Sequence, residues 1–154
     1  MHVCLKCNAK RRGKKDSYPC PNNDCLGTTV EISRRMLHIA HLFYNMGYRI
    51  YSAKDCIDHK KVDNSYWISV CVEFSQIYPP EAFPDLPVRM AYNRDLSTGR
   101  CQLIYKEVYL ITADTVQEVK NVIRKLEHWA LDLAFEDLPD LFRLFGYFDI
   151  QYGS

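Results

Sequence analysis

The sequence predicts an α+β fold in two parts: a small four-cysteine ribbon over residues 1–32, and a two-layer αβ domain over residues 33–154. The second part is expected to hold a helix, about four mainly antiparallel strands, a second helix and a short C-terminal helix. Three observations carry this reading. Cys4, Cys7, Cys20 and Cys25 stand as two close pairs separated by twelve residues. Tyr66, Ile68, Val70, Val72 and Phe74 recur at period two, as in a half-buried strand. Val116, Val119, Ile123, Leu126, Ala130 and Leu133 recur at steps of three and four, as on the buried face of a helix.

The cysteine pairs, Cys-x-x-Cys and Cys-x-x-x-x-Cys, have the spacing of two knuckles closing on one ion. Four thiolates in a tetrahedron suit Zn²⁺ and leave no coordination position for water or substrate, so the expected cofactor is one structural zinc. Seven cysteines is an odd number, and the first four are clustered where a disulfide framework would spread them along the chain. A reducing, cytoplasmic setting fits that usage. No run of about 18 apolar residues suggests a membrane span, and the start Met1-His2-Val3-Cys4 lacks a signal-peptide pattern.

The ribbon has few apolar side chains (Val3, Leu5, Tyr18, Leu26, Val30), so metal binding must supply much of its folding energy. It is also basic. Residues 1–35 hold eight Lys or Arg against three acids, whereas residues 36–154 hold twelve against sixteen. Lys6, Lys10, Arg11, Arg12, Lys14 and Lys15 lie on or between the knuckles, and Arg34 and Arg35 follow. Clustered cations on a rigid loop release counterions from nucleic acid, and the same groups suit an acidic protein surface. These eight residues are the candidate partner-binding set.

In the αβ part, Ser33 is placed to cap a helix carrying Met36, Ile39, Ala40 and Phe43 inward, with Gly47 as its stop. Its other face carries Arg34, His38, His41 and Asn45; the two histidines lack an accompanying carboxylate and are taken as a solvated face. Strands are expected at Tyr48–Ala53 and around residues 66–74. A Pro-rich loop through Pro79, Pro80, Pro84 and Pro87 leads into Val88, Met90 and Tyr92 at period two. Asp95 to Gly99 is a turn, and alternation from Cys101 to Leu110 completes a hairpin. Thr115-Val116-Gln117-Glu118 has the form of a capping box opening the long helix, whose stripe is taken as core in preference to a subunit contact. The tail from Phe135 is acidic and aromatic, with Pro139 beginning a short helix. Its aromatics either seal the open face of the sheet or form a partner patch.

Cys56 and His59 are expected in a polar loop with Lys60 and Lys61 nearby, a cationic setting that favours a thiolate. No oxyanion loop or orienting residue accompanies them, and no phosphate-loop or dinucleotide motif occurs, so the chain is read as non-enzymatic.

The two-knuckle ribbon, Val30-Glu31-Ile32-Ser33, the apolar helix, Met46-Gly47-Tyr48-Arg49-Ile50-Tyr51-Ser52 and the strand ending Val72-Glu73-Phe74 resemble a group of small uncharacterised zinc-ribbon proteins of bacteria and their phages. The likeness covers roughly residues 1–75. Its members usually carry Cys-x-Gly-His after the Gly-Tyr segment, whereas Cys56-Ile57-Asp58-His59 lacks that glycine and is displaced. The resemblance implies a phage or mobile-element accessory protein. Three functions stay open: a binder of nucleic acid or a nucleoprotein complex, an inhibitor docking on a host protein, and an enzyme acting on nucleic acid through Cys56 and His59. The first is favoured, and the oligomeric state is left open.

Overall fold

The structure is a computed structural model that describes residues 1–60, 63, 65–109 and 114–134. The acidic, aromatic tail, its expected short helix, Lys61 and Leu110 lie outside the described residues. One seven-stranded sheet runs through the molecule, ordered β2-β1-β3-β4-β5-β7-β6. Its strands are β1 (His2–Val3), β2 (Lys10–Arg11), β3 (Val30–Ile32), β4 (Ile50–Lys60), β5 (Ser65–Phe74), β6 (Ala91–Asp95) and β7 (Arg100–Tyr109). Seven strands replace the expected four because the ribbon supplies three short ones. β3 lies parallel to β4, with Glu31 opposite Ser52 and Ile32 opposite Ala53, and every other pairing is antiparallel. Val3, Leu5 and Ile32 consequently reach the same core as the αβ part.

The crossover from β3 to β4 is a 3₁₀ turn (Arg34–Met36) followed by α1 (Leu37–Met46). Ser33 precedes the 3₁₀ turn as its extended cap residue but offers no side-chain cap. Its Oγ instead accepts the backbone N–H of Asp55 at 3.2 Å, tying the turn to β4. Gly47 ends α1 as expected, at φ 100°, where its N–H reaches the carbonyls of Phe43 and Tyr44.

The strand expected at Tyr48–Ala53 extends well past Ala53. β4 continues through Lys60 in register with β5, from Ser52 opposite Glu73 to Lys60 opposite Ser65, so the expected polar loop at 54–59 is strand. The β5 alternation holds: Ile68, Val70, Val72 and Phe74 are buried, and Trp67 is exposed. Val88 is 81% exposed and outside any strand, because Arg89 turns the chain through the left-handed region at φ 68° and pairing begins only at Ala91. The Asp95–Gly99 turn is present, with Gly99 at φ 70° and Ser97 donating both N–H and Oγ–H to Asp95 Oδ1.

α2 spans Thr115–Ala134 and packs beside α1 on one face of the sheet. Its cap is Asp114, not Thr115: the Gln117 N–H donates to Asp114 Oδ1 at 3.1 Å and the Glu118 N–H to its carbonyl. Thr115 is thereby the first helical residue and is buried, while Val116 turns to the rim and Val122 joins the buried stripe. Between helices and sheet, Phe43, Tyr48, Phe74, Tyr78 and Phe83 form an aromatic cluster with centroids 5.1–6.2 Å apart. Its polar tips are all satisfied. Tyr48 donates to the Ala82 carbonyl at 2.7 Å, Tyr78 Oη accepts from the Arg49 N–H at 2.9 Å, and Trp129 Nε1 donates to the Pro84 carbonyl at 2.7 Å.

Candidate functional site

The first knuckle is the turn joining β1 to β2. Cys4 and Ala9 are bridged by an N–H···O bond of 2.9 Å, and Asn8, the residue after Cys7, takes the left-handed conformation at φ 68° that closes the turn. The second knuckle sits on a hairpin between Tyr18 and Thr29, tied by Cys20 N–H to the Gly27 carbonyl and Thr29 N–H to the Tyr18 carbonyl. The four Sγ atoms converge to within 4.8 Å of one another. Cys4 and Cys25 are 3.8 Å apart, and Cys7 and Cys20 are 3.3 Å apart.

That spacing can be tested against coordination geometry. A tetrahedral ion with metal–sulfur bonds of about 2.3 Å separates its sulfurs by about 3.8 Å, so the cluster has the dimensions of a four-thiolate site. Backbone N–H groups already point at the sulfurs. Asn22 and Gly27 donate to Cys20 and Cys25 at 3.4 Å, while Lys6 and Cys7 serve Cys4 and Ala9 serves Cys7. Such donors stabilise thiolate charge. The Ala9 N–H, followed by Cys20, lowers the Cys7 thiol to about 7, whereas desolvation pushes Cys4 up and Cys20 up to about 12. Four crowded thiols cannot all ionise without a cation to compensate them, and the structure offers them as ligands for a metal ion.

Gly27 completes the site and was not singled out by sequence reasoning. A Cβ there would lie 2.9 Å from Cys4 Sγ and 3.3 Å from Cys25 Sγ. Its placement two residues after Cys25, in the turn that carries that sulfur, is the signal that could have found it. Gly13 is constrained differently, because a Cβ would overlap the ring of Tyr18. Tyr18 organises the basic loop: its Oη accepts the Lys15 N–H at 2.9 Å, its ring stands edge-on to the buried His2, and the Arg11 guanidinium stacks over it at 3.6 Å.

The candidate cations are distributed over this frame. Lys6 belongs to the first knuckle, Lys10 and Arg11 form the edge strand β2, and Arg12, Lys14 and Lys15 follow in the loop to the second knuckle. All six are exposed, and none pairs with a carboxylate among the described residues. Arg35 differs, since its Nη1 is 3.0 Å from Oδ2 of Asp55, whose side chain is only 6% exposed. It locks the 3₁₀ turn to β4, while Arg34 beside it is exposed.

The two histidines of α1 are not brought to one centre. His38 Nδ1 lies 3.5 Å from Glu127 of α2, and His41 Nε2 is 2.8 Å from Asn8 Oδ1, joining the helix to the first knuckle. Burial pushes His41 down, helped by His38. Cys56 and His59 are also separated. On β4 they stand an odd number of residues apart, so their side chains leave opposite faces. Cys56 opens beside Lys60, Trp67 and Lys106, whereas His59 stacks on Tyr66 at 4.6 Å.

Comparison with family models, curated proteins and solved structures gave no match. Among the described residues no helix is long and apolar enough to cross a membrane.

Proposed function

We propose that this chain is a non-enzymatic zinc-ribbon protein that binds nucleic acid, free or within a nucleoprotein complex, through the basic face of its ribbon. One observation carries the reading. Six exposed cations, Lys6, Lys10, Arg11, Arg12, Lys14 and Lys15, sit on a segment whose shape is fixed by the four-cysteine cluster and by Tyr18, and none is neutralised by a described carboxylate. Zinc is the metal assigned to that cluster, because four sulfur donors at tetrahedral separations favour it and leave no open position for chemistry. The separation of Cys56 from His59 supports a binding role over nucleophilic catalysis.

Elemental analysis should find one zinc per chain, lost when Cys20→Ser and Cys25→Ser are combined. Binding is then measured with a fluorescent single-stranded oligonucleotide over a salt series. With six phosphates neutralised, the logarithm of affinity should fall with the logarithm of salt at a slope of about −4, or about 300-fold between 50 and 200 mM. Reversing Lys10, Arg11, Arg12, Lys14 and Lys15 to Glu should abolish it. A flat salt response with unchanged affinity in the reversed variant would reject nucleic acid as the ligand and leave docking on a protein surface.

A further inference from the structure

Among the described residues the sheet has helices on one side only, and strand register tells which side chains stand on the other. Phe43 of α1 meets Phe74, so the helices cover the face of β5 that carries Ile68, Val70, Val72 and Phe74. Trp67, Ser69, Cys71 and Glu73 alternate with these and leave the opposite face. Paired residues share a face, and the pairing runs from Glu73 through Ser52, Glu31 and His2 to Arg11. Arg11 of the basic ribbon therefore stands on the same helix-free face as Trp67.

The far end of that face can hold a base. Trp67 is 44% exposed, a large aromatic ring left open to water. Beside it lies an open cavity of about 280 Å³, lined by the small side chains of Cys56 and Ser69, which are opposite one another on β4 and β5, and by Lys60 and Lys106. The charges around it are unevenly matched. On this face Glu31 pairs with Lys54 at 3.3 Å, Asp58 with Lys60 at 3.0 Å and Glu73 with Arg100 at 3.7 Å, whereas the exposed Lys106 has no carboxylate partner among the described residues. An open ring offers its π-face to any base, and an uncompensated ammonium beside it suits a phosphate. Together they select a single strand, because bases stacked within a duplex cannot reach Trp67.

The spacing of the two ends sets a length. Trp67 lies six residues along β5 from Glu73, about 20 Å, and β2 lies four strand spacings from β5, about 19 Å. Arg11 and Trp67 are thus about 28 Å apart on the diagonal, a path that about eight nucleotides cover at about 3.4 Å each. We infer that the helix-free face extends the nucleic-acid site: a single strand anchored on the ribbon cations crosses the sheet and stacks one base on Trp67, with an adjoining phosphate at Lys106. The inference rests on the nucleic-acid reading of the ribbon for its anchor, and adds to it the strandedness, the length and the stacking residue.

The test uses zinc-loaded protein, fluorescent oligothymidylates of increasing length and a duplex. Affinity should rise with length up to about eight nucleotides and then level off. For a long oligothymidylate, Trp67→Ala should weaken binding about fivefold or more with the salt slope unchanged, and Trp67→Phe should restore most of the loss. Lys106→Ala should make the salt slope shallower by about 0.7. Both side chains are exposed, so zinc content and the folded spectrum should match the parent in every variant. The duplex should bind Trp67→Ala as it binds the parent. If Trp67→Ala and Lys106→Ala bind the long oligothymidylate as the parent does while charge reversal on the ribbon abolishes binding, the sheet face is no part of the site and the proposed function survives. If those two variants keep the parent's affinity but lose a concentration-dependent self-association, a second copy occupies the face and the inference is overturned. If the parent binds no oligonucleotide, the proposed function and this extension fall together.

Discussion

Replacing Gly27 by alanine tests whether the four sulfurs form a metal centre whose packing leaves no room for a methyl group. The added Cβ would stand 2.9 Å from Cys4 Sγ, closer than side-chain carbons ordinarily approach any heavy atom, and 3.3 Å from Cys25 Sγ. Both contacts are to sulfurs of the candidate metal cluster, so the strain can be relieved only by moving sulfur or by opening the second knuckle. Overpacking of this kind costs about 1–3 kcal/mol. Because that strain is greatest in the closed, metal-bound form, it should appear as a loss of about 5- to 150-fold in zinc affinity. The assay is competition with a chromophoric chelator at fixed pH. Gly99→Ala is the control: Gly99 has open space around it, but its φ of 70° is unfavourable to alanine. It should lower folding stability by about 1 kcal/mol and leave zinc affinity unchanged. Equal zinc affinity in Gly27→Ala and the parent protein would refute the packing argument.

Asp114→Ala removes the side-chain acceptor of the Gln117 N–H and should destabilise the protein by about 1 kcal/mol in urea unfolding; if Thr115 were the cap, Asp114→Ala would be silent. Cys56→Ser should leave oligonucleotide affinity and zinc content unchanged, because that thiol faces away from His59 and belongs to neither the cluster nor the basic ribbon; loss of function in a folded, zinc-loaded Cys56→Ser protein would reinstate catalysis.

What could be read from the sequence was whatever is governed by local rules. The cysteine spacing, the stop at Gly47, the alternation of β5, the turn at Gly99 and most of the α2 stripe each follow from a few adjacent residues. What escaped depends on partners distant in the chain. Lys54 to Lys60 is mostly polar, with Ile57 its one large apolar residue, so no hydrophobic period marked it as strand; its pairing with β5 does. The ribbon strands are two or three residues long, too short to show a period, and only the parallel pairing of β3 with β4 makes them part of the sheet. At α2 the capping box read at Thr115 lies one residue late, because the Gln117 N–H is bonded by the side chain of Asp114. The sulfur cluster was legible as a metal site, but the contact of His41 with Asn8 was not, because the helix and the first knuckle meet only after the sheet has assembled.

The order of the sheet also bears on how the protein treats its own copies. One border of a seven-stranded sheet is β2, a strand of two residues, both cationic, folded back by the first knuckle. Short, charged borders discourage a second sheet from adding on, whereas a longer apolar border invites it. Should the ribbon unravel on metal loss, the outermost strand would become β3, with Val30 and Ile32 and a row of unpaired backbone groups facing outward. The knuckles thus act as a selvedge on this border of the sheet, and loss of a bound metal would leave β3 open to pairing with another strand.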